Sequence, residues 1–245
     1  MESQSKTTFP LRVLVDKEKR RVVAAEATMN FVDILFGFLA LPMGTIVRLV
    51  EAEQGQHPAV IGCMNNLYNS VEKLGDEVFV NDVRKQMLIR PHNPCDSLCR
   101  KLKINVDDSE DVEFYVCISC NYYSTFPNEI CTCGQPMIKR KMADHNPGNG
   151  VFLRGSPLFL IFDDLKIIPS TPGRSTKLFL QHGYKDLSHL LDINISVGFK
   201  EINSLLKYAL TSKHPLTSLF LPMKSVEIKS VDPCLCHDQQ QQVNT

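Results

Sequence analysis

The stretch LRVLVDKEKRRVVAAEA, residues 11–27, decides the fold of this chain of 245 residues. Residues 11–15 and 22–27 are rich in β-branched and other apolar side chains, and the charged run 16–21 separates them. Two β-prone runs joined by a short polar turn predict an antiparallel hairpin. The first structural unit is therefore expected to be a β-hairpin.

Helical patterns follow this hairpin. Asn30 occupies a position typical of a helix N-cap, and Asp33 lies three residues later as in a capping box, so we expect a helix to begin near Phe31. Pro42 ends or kinks that helix because proline disrupts helical hydrogen bonding. Helical spacing resumes after it, in residues 44–53.

The next part of the chain has weaker patterns. A third helix is predicted over residues 59–74, with Gly75 as its C-cap. Residues 85–89 have the composition of a strand, and residues 94–103 that of a short helix. A further strand is expected over 112–116, immediately before a group of cysteines.

The second half repeats the order seen at the start. Residues 158–162 and 165–168 are apolar runs on either side of Asp163 and Asp164, which predicts a second hairpin. Helical spacing is found in two later regions, one containing Leu178 and residues 187–191 and the other spanning residues 199–210. The order of hairpin and helix in both halves is compatible with an internal duplication, although such units also recur without common descent.

These patterns predict an α+β fold in which β-hairpins pack with helices on one face of a sheet. The run 158–162 is nearly all apolar, so its strand is expected to be covered on both sides. Four regions are proposed: a hairpin plus helices (9–110), a cysteine-rich insert resembling a zinc ribbon (111–144), a second hairpin plus helices (150–223) and a polar, disordered tail (224–245).

Composition excludes some classes of protein. Hydrophobic residues make up 43% and charged residues 22%, so the chain is expected to fold. Lys plus Arg (27) equals Asp plus Glu (27), which argues against a polyanionic partner such as nucleic acid. Two short basic runs are interpreted as solvated turns: Lys17, Lys19, Arg20 and Arg21, and Lys139, Arg140 and Lys141.

Compartment is inferred from the cysteines and from the N-terminal residues. The chain begins without the apolar core of a signal peptide, so the nine cysteines are expected to be reduced in the cytoplasm or nucleus. The most apolar segment, residues 31–47, contains Asp33 and Pro42 and is shorter than the roughly 20 residues of a membrane span. We expect it to form buried helices and not to enter a membrane.

Several long strings resemble the plant family catalogued as domain of unknown function 674. They are residues 11–51, the string IGCMNNLYNSVEKLG, residues 155–183 and residues 197–222. The resemblance covers nearly the whole chain and is therefore specific. It implies no activity, substrate or catalytic residue, and it implies a cysteine-rich middle, in keeping with the four cysteines found there.

Those four cysteines are Cys117, Cys120, Cys131 and Cys133, in the pattern CxxC, ten residues, CxC. Two turns facing each other across a hairpin can present four thiolates tetrahedrally to zinc. A CxC pair needs a tight bend, which Gly134 can supply with a positive φ. Structural zinc is the favoured interpretation; reduced buried cysteines and a redox dithiol are the alternatives.

Other candidate residues have simpler interpretations. Cys95 and Cys99 lie one helical turn apart and are interpreted as core thiols, whereas Cys234, Cys236 and His237 resemble half of a metal site in the tail. Residues 171–177 lack the spacing of a phosphate loop and are interpreted as a turn with Ser175 capping the next helix. Asp163 and Asp164 are interpreted as hairpin-turn residues.

Two function classes remain. The first is a non-enzymatic interaction or scaffold protein that binds another protein and is stabilised by zinc. The second is an enzyme whose site is built from scattered residues, since no histidine is placed by a motif beside a particular nucleophile. A deep pocket lined by convergent polar groups would distinguish them.

Overall fold

The computed structural model describes residues 7–52, 59–108, 113–140, 150–155, 157–171, 179–180 and 190–221. In chain order, its strands and α-helices are β1 (Phe9–Asp16), β2 (Arg21–Thr28), α1 (Met29–Gly37), α2 (Met43–Ala52), α3 (Met64–Lys73), α4 (Asp82–Ile89), α5 (Asp96–Cys99), β3 (Phe114–Val116), β4 (Tyr123–Ser124), β5 (Ile138–Arg140), β6 (Leu158–Phe162), β7 (Ile167–Pro169), β8 (Leu190–Val197), α6 (Phe199–Thr211) and α7 (Pro215–Phe220). Short 3₁₀ turns occupy Phe38–Ala40 and Asp76–Val78. The α+β prediction is confirmed.

Five strands form the main sheet in the order β7-β6-β2-β1-β8, and every neighbouring pair is antiparallel. Both predicted hairpins, β1–β2 and β6–β7, are present. Leu14 pairs with Ala24 and Val15 with Val22, so the register shifts by one residue in β2. Such a bulge increases local strand twist.

The core lies mainly on one face of this sheet. Side chains from β1, α1, α2, α6 and α7 share a single buried cluster, which includes Leu11, Val13, Phe31, Val50, Ile202, Leu205 and Leu216. A smaller cluster on the opposite face joins Val23, Ala24, Leu160, Phe162 and Phe179. Strand β6 contributes to both clusters, which confirms that it is covered on both sides.

The apolar segment after β2 is folded into the core. Helices α1 and α2 flank the 3₁₀ turn before Pro42, and Met29–Ala40 and Met43–Ala52 are bent by 114°. Among the described residues, no single helix is long and apolar enough to cross a membrane, although this bent pair reaches that length and composition together. Phe31 and Val50 are almost completely buried.

Several local predictions were wrong. Residues 85–89 belong to helix α4 and not to a strand, because the Asn81 side chain caps the helix by accepting a hydrogen bond from the Arg84 N–H at 2.9 Å. The third helix begins at Met64 instead of near residue 59. Its end is not a glycine cap, since Gly75 has a φ of −66°.

The predicted capping box at the start of α1 was also wrong. The helix begins at Met29, after Thr28, and its N-cap makes no side-chain hydrogen bond. Asp33 is buried and instead accepts hydrogen bonds from the backbone N–H groups of Val151, Phe152 and Leu153 at 2.9, 3.1 and 3.0 Å. The carboxylate thus fixes the chain where it re-enters the main domain after residue 149.

The second half departs from a simple repeat of the first. Residues 190 and 191 start strand β8, whereas helical spacing was predicted for 187–191. Helix α6 follows β8, which pairs with β1, whereas the β6–β7 hairpin lies at the other edge of the sheet. The helix over 199–211 therefore does not directly follow the β6–β7 hairpin in the way that α1 follows β1 and β2. Leu178, Ser175, residues 145–149 and the tail lie outside the described residues.

Candidate metal centre

A second, three-stranded antiparallel sheet in the order β4-β3-β5 carries the four-cysteine group. Strand β3 leads directly into Cys117, where the chain turns. The Cys117 N–H donates to the carbonyl of Tyr122 at 2.8 Å, and the Asn121 N–H donates to the carbonyl of Cys117 at 3.0 Å. Asn121 takes a positive φ of 57°, which closes the turn that presents Cys117 and Cys120.

The second turn is tighter, as its CxC spacing requires. The Gly134 N–H donates to the carbonyl of Cys131 at 2.7 Å, and the Cys131 N–H donates to the carbonyl of Gln135 at 3.1 Å. Gly134 has a φ of 80°, the left-handed conformation that was predicted for it. This bend turns Cys131 and Cys133 toward a common centre.

The four sulfur atoms lie within 4.8 Å of one another. The Sγ atoms of Cys120 and Cys131 are 3.1 Å apart, those of Cys117 and Cys133 3.5 Å, and those of Cys120 and Cys133 3.8 Å. A tetrahedron with metal–sulfur bonds of about 2.3 Å has sulfur–sulfur edges of about 3.8 Å. The group could therefore hold a metal ion.

Each turn contributes one buried and one exposed cysteine. Cys117 and Cys131 are buried, and Cys120 and Cys133 are exposed. Backbone N–H groups of Ser119 and Cys120 lower the pKa of Cys117 to about 6. The N–H of Cys133 likewise lowers the pKa of Cys131.

The pKa values of the two exposed cysteines shift in the opposite direction. The neighbouring sulfur of Cys131 raises the pKa of Cys120 to about 12. The N–H of Gln135 lowers the pKa of Cys133, but the sulfurs of Cys131 and Cys117 outweigh it and raise the pKa overall. A bound cation would displace the protons from those cysteines that hold one.

The cysteine hairpin, residues 113–140, is fixed to the helices of the N-terminal region. Arg84 on α4 makes an ion pair with Glu129, whose carboxylate is buried in the loop before Cys131. The rings of His92 and Phe126 stack with centroids 4.2 Å apart and an interplanar angle of 3°. Two contacts therefore hold the hairpin against α4 and the segment that follows it.

Sequence reasoning missed these two contacts. Arg84 and Glu129 are 45 residues apart, and each stands in a local pattern that is typical of a surface charge. No short-range pattern in the sequence predicts the docking of the hairpin.

Strand β8, in contrast, could have been predicted from the sequence. Its apolar residues alternate, and four of them point toward the core: Leu191, Ile193, Ile195 and Val197.

The remaining candidate residues are located as follows. Cys99 is buried in the main core and Cys95 packs against it, as predicted for core thiols, and burial raises the pKa of Cys99 to about 11. Asp163 and Asp164 form the turn between β6 and β7. Cys234, Cys236 and His237 lie outside the described residues.

Comparison with known proteins identifies a family for this chain and no individual relative. The family model described as "Protein of unknown function (DUF674)" matches residues 5–245, nearly the whole chain. No curated protein and no solved structure matches this chain.

Proposed function

The chain belongs to the DUF674 family, and we propose that it is a non-enzymatic interaction or scaffold protein with one structural zinc ion held by Cys117, Cys120, Cys131 and Cys133. The convergence of four sulfurs to within 4.8 Å of one another carries this proposal. Thiolate ligands in this number and geometry favour zinc.

A structural role follows from the number of ligands. Four cysteine thiolates complete a tetrahedral shell and leave no coordination position for a reactive water, in contrast to catalytic zinc sites with three protein ligands. The ion would neutralise part of the charge of four thiolates and cross-link the two turns. The group therefore favours a folding role over metal-assisted hydrolysis.

The hairpin needs such a cross-link because little of it is buried. Its strands are short, and the three residues of β3 are only half-buried. Strand β5 is exposed throughout. Metal binding contributes on the order of 10 kcal/mol to the folding of zinc-finger peptides, enough to order a hairpin of this kind.

Exposed apolar side chains on the same hairpin support an interaction role. Val116 pairs with both Tyr123 and Ile138, so these side chains share one face of the small sheet. Tyr123 and Ile138 are 66% and 51% exposed, and Ile118 and Ile130 beside the cysteines are more exposed still. Neighbouring exposed apolar side chains, such as those of Tyr123 and Ile138 on either side of Val116, are typical of protein-binding sites.

A protein partner fits this hairpin better than a nucleic acid. Glu113 pairs with Lys139, and Glu129 pairs with Arg84. A zinc ion with four thiolates adds about two negative charges. Arg140 on β5 adds one positive charge, so the zinc-loaded residues 113–140 would still carry a small net negative charge, which favours a protein partner over a polyanion.

The test is native mass spectrometry of the full chain purified without chelator. We expect one zinc ion per chain, and we expect Cys120→Ser to lose it. Cys63→Ser is the matched control, since Cys63 is also an exposed free cysteine but belongs to no cluster among the described residues. Hydrogen exchange should show faster exchange in residues 113–140 of Cys120→Ser and unchanged exchange in β1 and β2. A metal-free wild-type chain with a protected hairpin would contradict the proposal.

A further inference from the structure

The arrangement of the four sulfurs has a consequence for oxidation. Cys120 and Cys133 are exposed to solvent, and Cys117 and Cys131 are buried behind them. Two close contacts each join an exposed sulfur to a buried one in the opposite turn: Cys120 to Cys131 at 3.1 Å and Cys133 to Cys117 at 3.5 Å. An oxidant therefore reaches one member of each pair first.

We propose that the cluster is a site of reversible oxidation, in which a peroxide converts the four thiolates to two disulfides, Cys120–Cys131 and Cys117–Cys133, and releases the metal. The release of metal rests on the proposed zinc site. The pairing of the cysteines rests only on the positions of the sulfurs.

The reaction balances with peroxide as the oxidant. When zinc is bound all four cysteines are thiolates. Each exposed thiolate then attacks a peroxide oxygen, which breaks the O–O bond and gives a sulfenic acid and hydroxide. The buried thiolate of the opposite turn then attacks that sulfur, forms the S–S bond and expels a second hydroxide. Two peroxides are reduced and four thiolates are oxidised, and the metal leaves because disulfide sulfurs are poor ligands.

Geometry favours pairing across the turns. A disulfide needs a sulfur–sulfur distance of about 2.05 Å, so each cross-turn pair has to approach by only about 1 to 1.5 Å. The other cross-turn pairing would join Cys120 to Cys133, whose sulfurs are farther apart at 3.8 Å, and Cys117 to Cys131. The pairing within the turns would join Cys131 to Cys133 through a single intervening residue. Such a short ring strains the Cβ–S–S–Cβ dihedral away from its usual value of about 90°. Pairing within the turns is therefore disfavoured even though Cys117 and Cys120 alone could bond.

Peptide mapping tests this pairing. The zinc-loaded full chain is treated with hydrogen peroxide, free thiols are alkylated, and the chain is cleaved after Tyr122, Tyr123 or Glu129, all of which separate the two turns. We expect the two cysteine peptides to remain linked until dithiothreitol is added, and fragmentation to place the bonds at Cys120–Cys131 and Cys117–Cys133. Unlinked peptides, within-turn bonds, the pairing Cys120–Cys133 with Cys117–Cys131, or sulfinic and sulfonic acids without disulfides would overturn the proposal.

Metal release is followed in the same samples with a zinc-sensitive dye. We expect one zinc released per two disulfides formed, and rebinding after reduction. In Cys133→Ser only the Cys120–Cys131 bond should form, whereas Cys63→Ser should behave as the wild type. If the purified chain contains no metal, the zinc proposal fails, yet the disulfide map still decides the pairing.

Discussion

The Arg84 guanidinium nitrogen Nη2 lies 2.6 Å from Glu129 Oε1 and joins helix α4 to the loop that carries the second pair of cysteines. The partners are unequally exposed, with 6% of the Glu129 side chain and 49% of the Arg84 side chain accessible. Burial of a carboxylate is unfavourable unless a cation or hydrogen bonds compensate it. The ion pair therefore stabilises the buried Glu129 carboxylate more than it stabilises the partly solvated Arg84 guanidinium.

Removal of the arginine is expected to be the more damaging change. Arg84→Ala leaves a buried carboxylate without its cation, and we expect a loss of about 3 kcal/mol in the docking of the hairpin. Glu129→Gln removes the charge and should cost about 1 kcal/mol, because the freed Arg84 is partly solvated. The double variant Arg84→Ala/Glu129→Gln should recover part of the loss. Hydrogen exchange of residues 113–140 measures each effect, and equal losses in the two single variants would contradict the argument.

Gly134 is expected to be required by the tight second turn. Its φ of 80° costs an L-residue with a side chain about 1 kcal/mol or more, although no atom lies within 4 Å of an added Cβ. Gly134→Ala should therefore lower zinc affinity by about tenfold. Gly62 also has a positive φ and open space around its Cβ position, so Gly62→Ala is the matched control that should leave zinc affinity unchanged. Competition with a chelator of known affinity measures both.

Sequence patterns predicted the fold best where short-range spacing and the final structure agree. The two hairpins, the break at Pro42 and the helix over 199–211 all follow from alternation, turn residues and helical spacing. The convergence of the four cysteines also followed from spacing, because the ligands lie in two turns only ten residues apart. In each case, a short-range sequence pattern was sufficient to predict the structure.

Predictions failed where a distant partner decides the outcome. Asp33 has the spacing of a capping residue, yet its carboxylate binds backbone groups more than a hundred residues later. Residues 85–89 have the apolar run of a strand, but the Asn81 cap and the packing against α3 favour a helix. Long-range hydrogen bonds of this kind leave no periodic pattern in the sequence.

Substitutions of the adjacent residues Asp163 and Asp164 are expected to have very different effects on the stability of the protein. Asp163 is buried and accepts hydrogen bonds from the Thr217 N–H and Oγ1, both at 2.8 Å, and from Arg21 Nε at 3.0 Å. It thus ties the β6–β7 turn to helix α7 and to the start of β2. Asp164 is exposed and accepts one hydrogen bond, from the Lys166 N–H within the turn.

We expect Asp163→Ala to lower the free energy of unfolding by about 3 kcal/mol, because it removes a buried, charged acceptor of three hydrogen bonds and leaves the partly buried Thr217 donors unpaired. Asp164→Ala should lower it by about 1 kcal/mol or less. Urea denaturation followed by circular dichroism compares the two variants. Similar midpoints would show that the Asp163 contacts contribute little.

Asp33 is expected to stabilise the protein through residues 151–153 and not through the start of helix α1. Asparagine at this position keeps one oxygen acceptor but places an amide N–H₂ against the remaining backbone donor, so Asp33→Asn should lower the free energy of unfolding by about 3 kcal/mol. Residues 150–153 should then exchange their amide hydrogens faster. The matched control is Asn30→Ala: a capping asparagine would cost about 1 kcal/mol on removal, whereas the uncapped helix start predicts almost no change. Denaturant unfolding of both variants decides between the two roles. A capping box predicts a loss of stability in Asn30→Ala, whereas the observed contacts predict a loss of stability in Asp33→Asn alone.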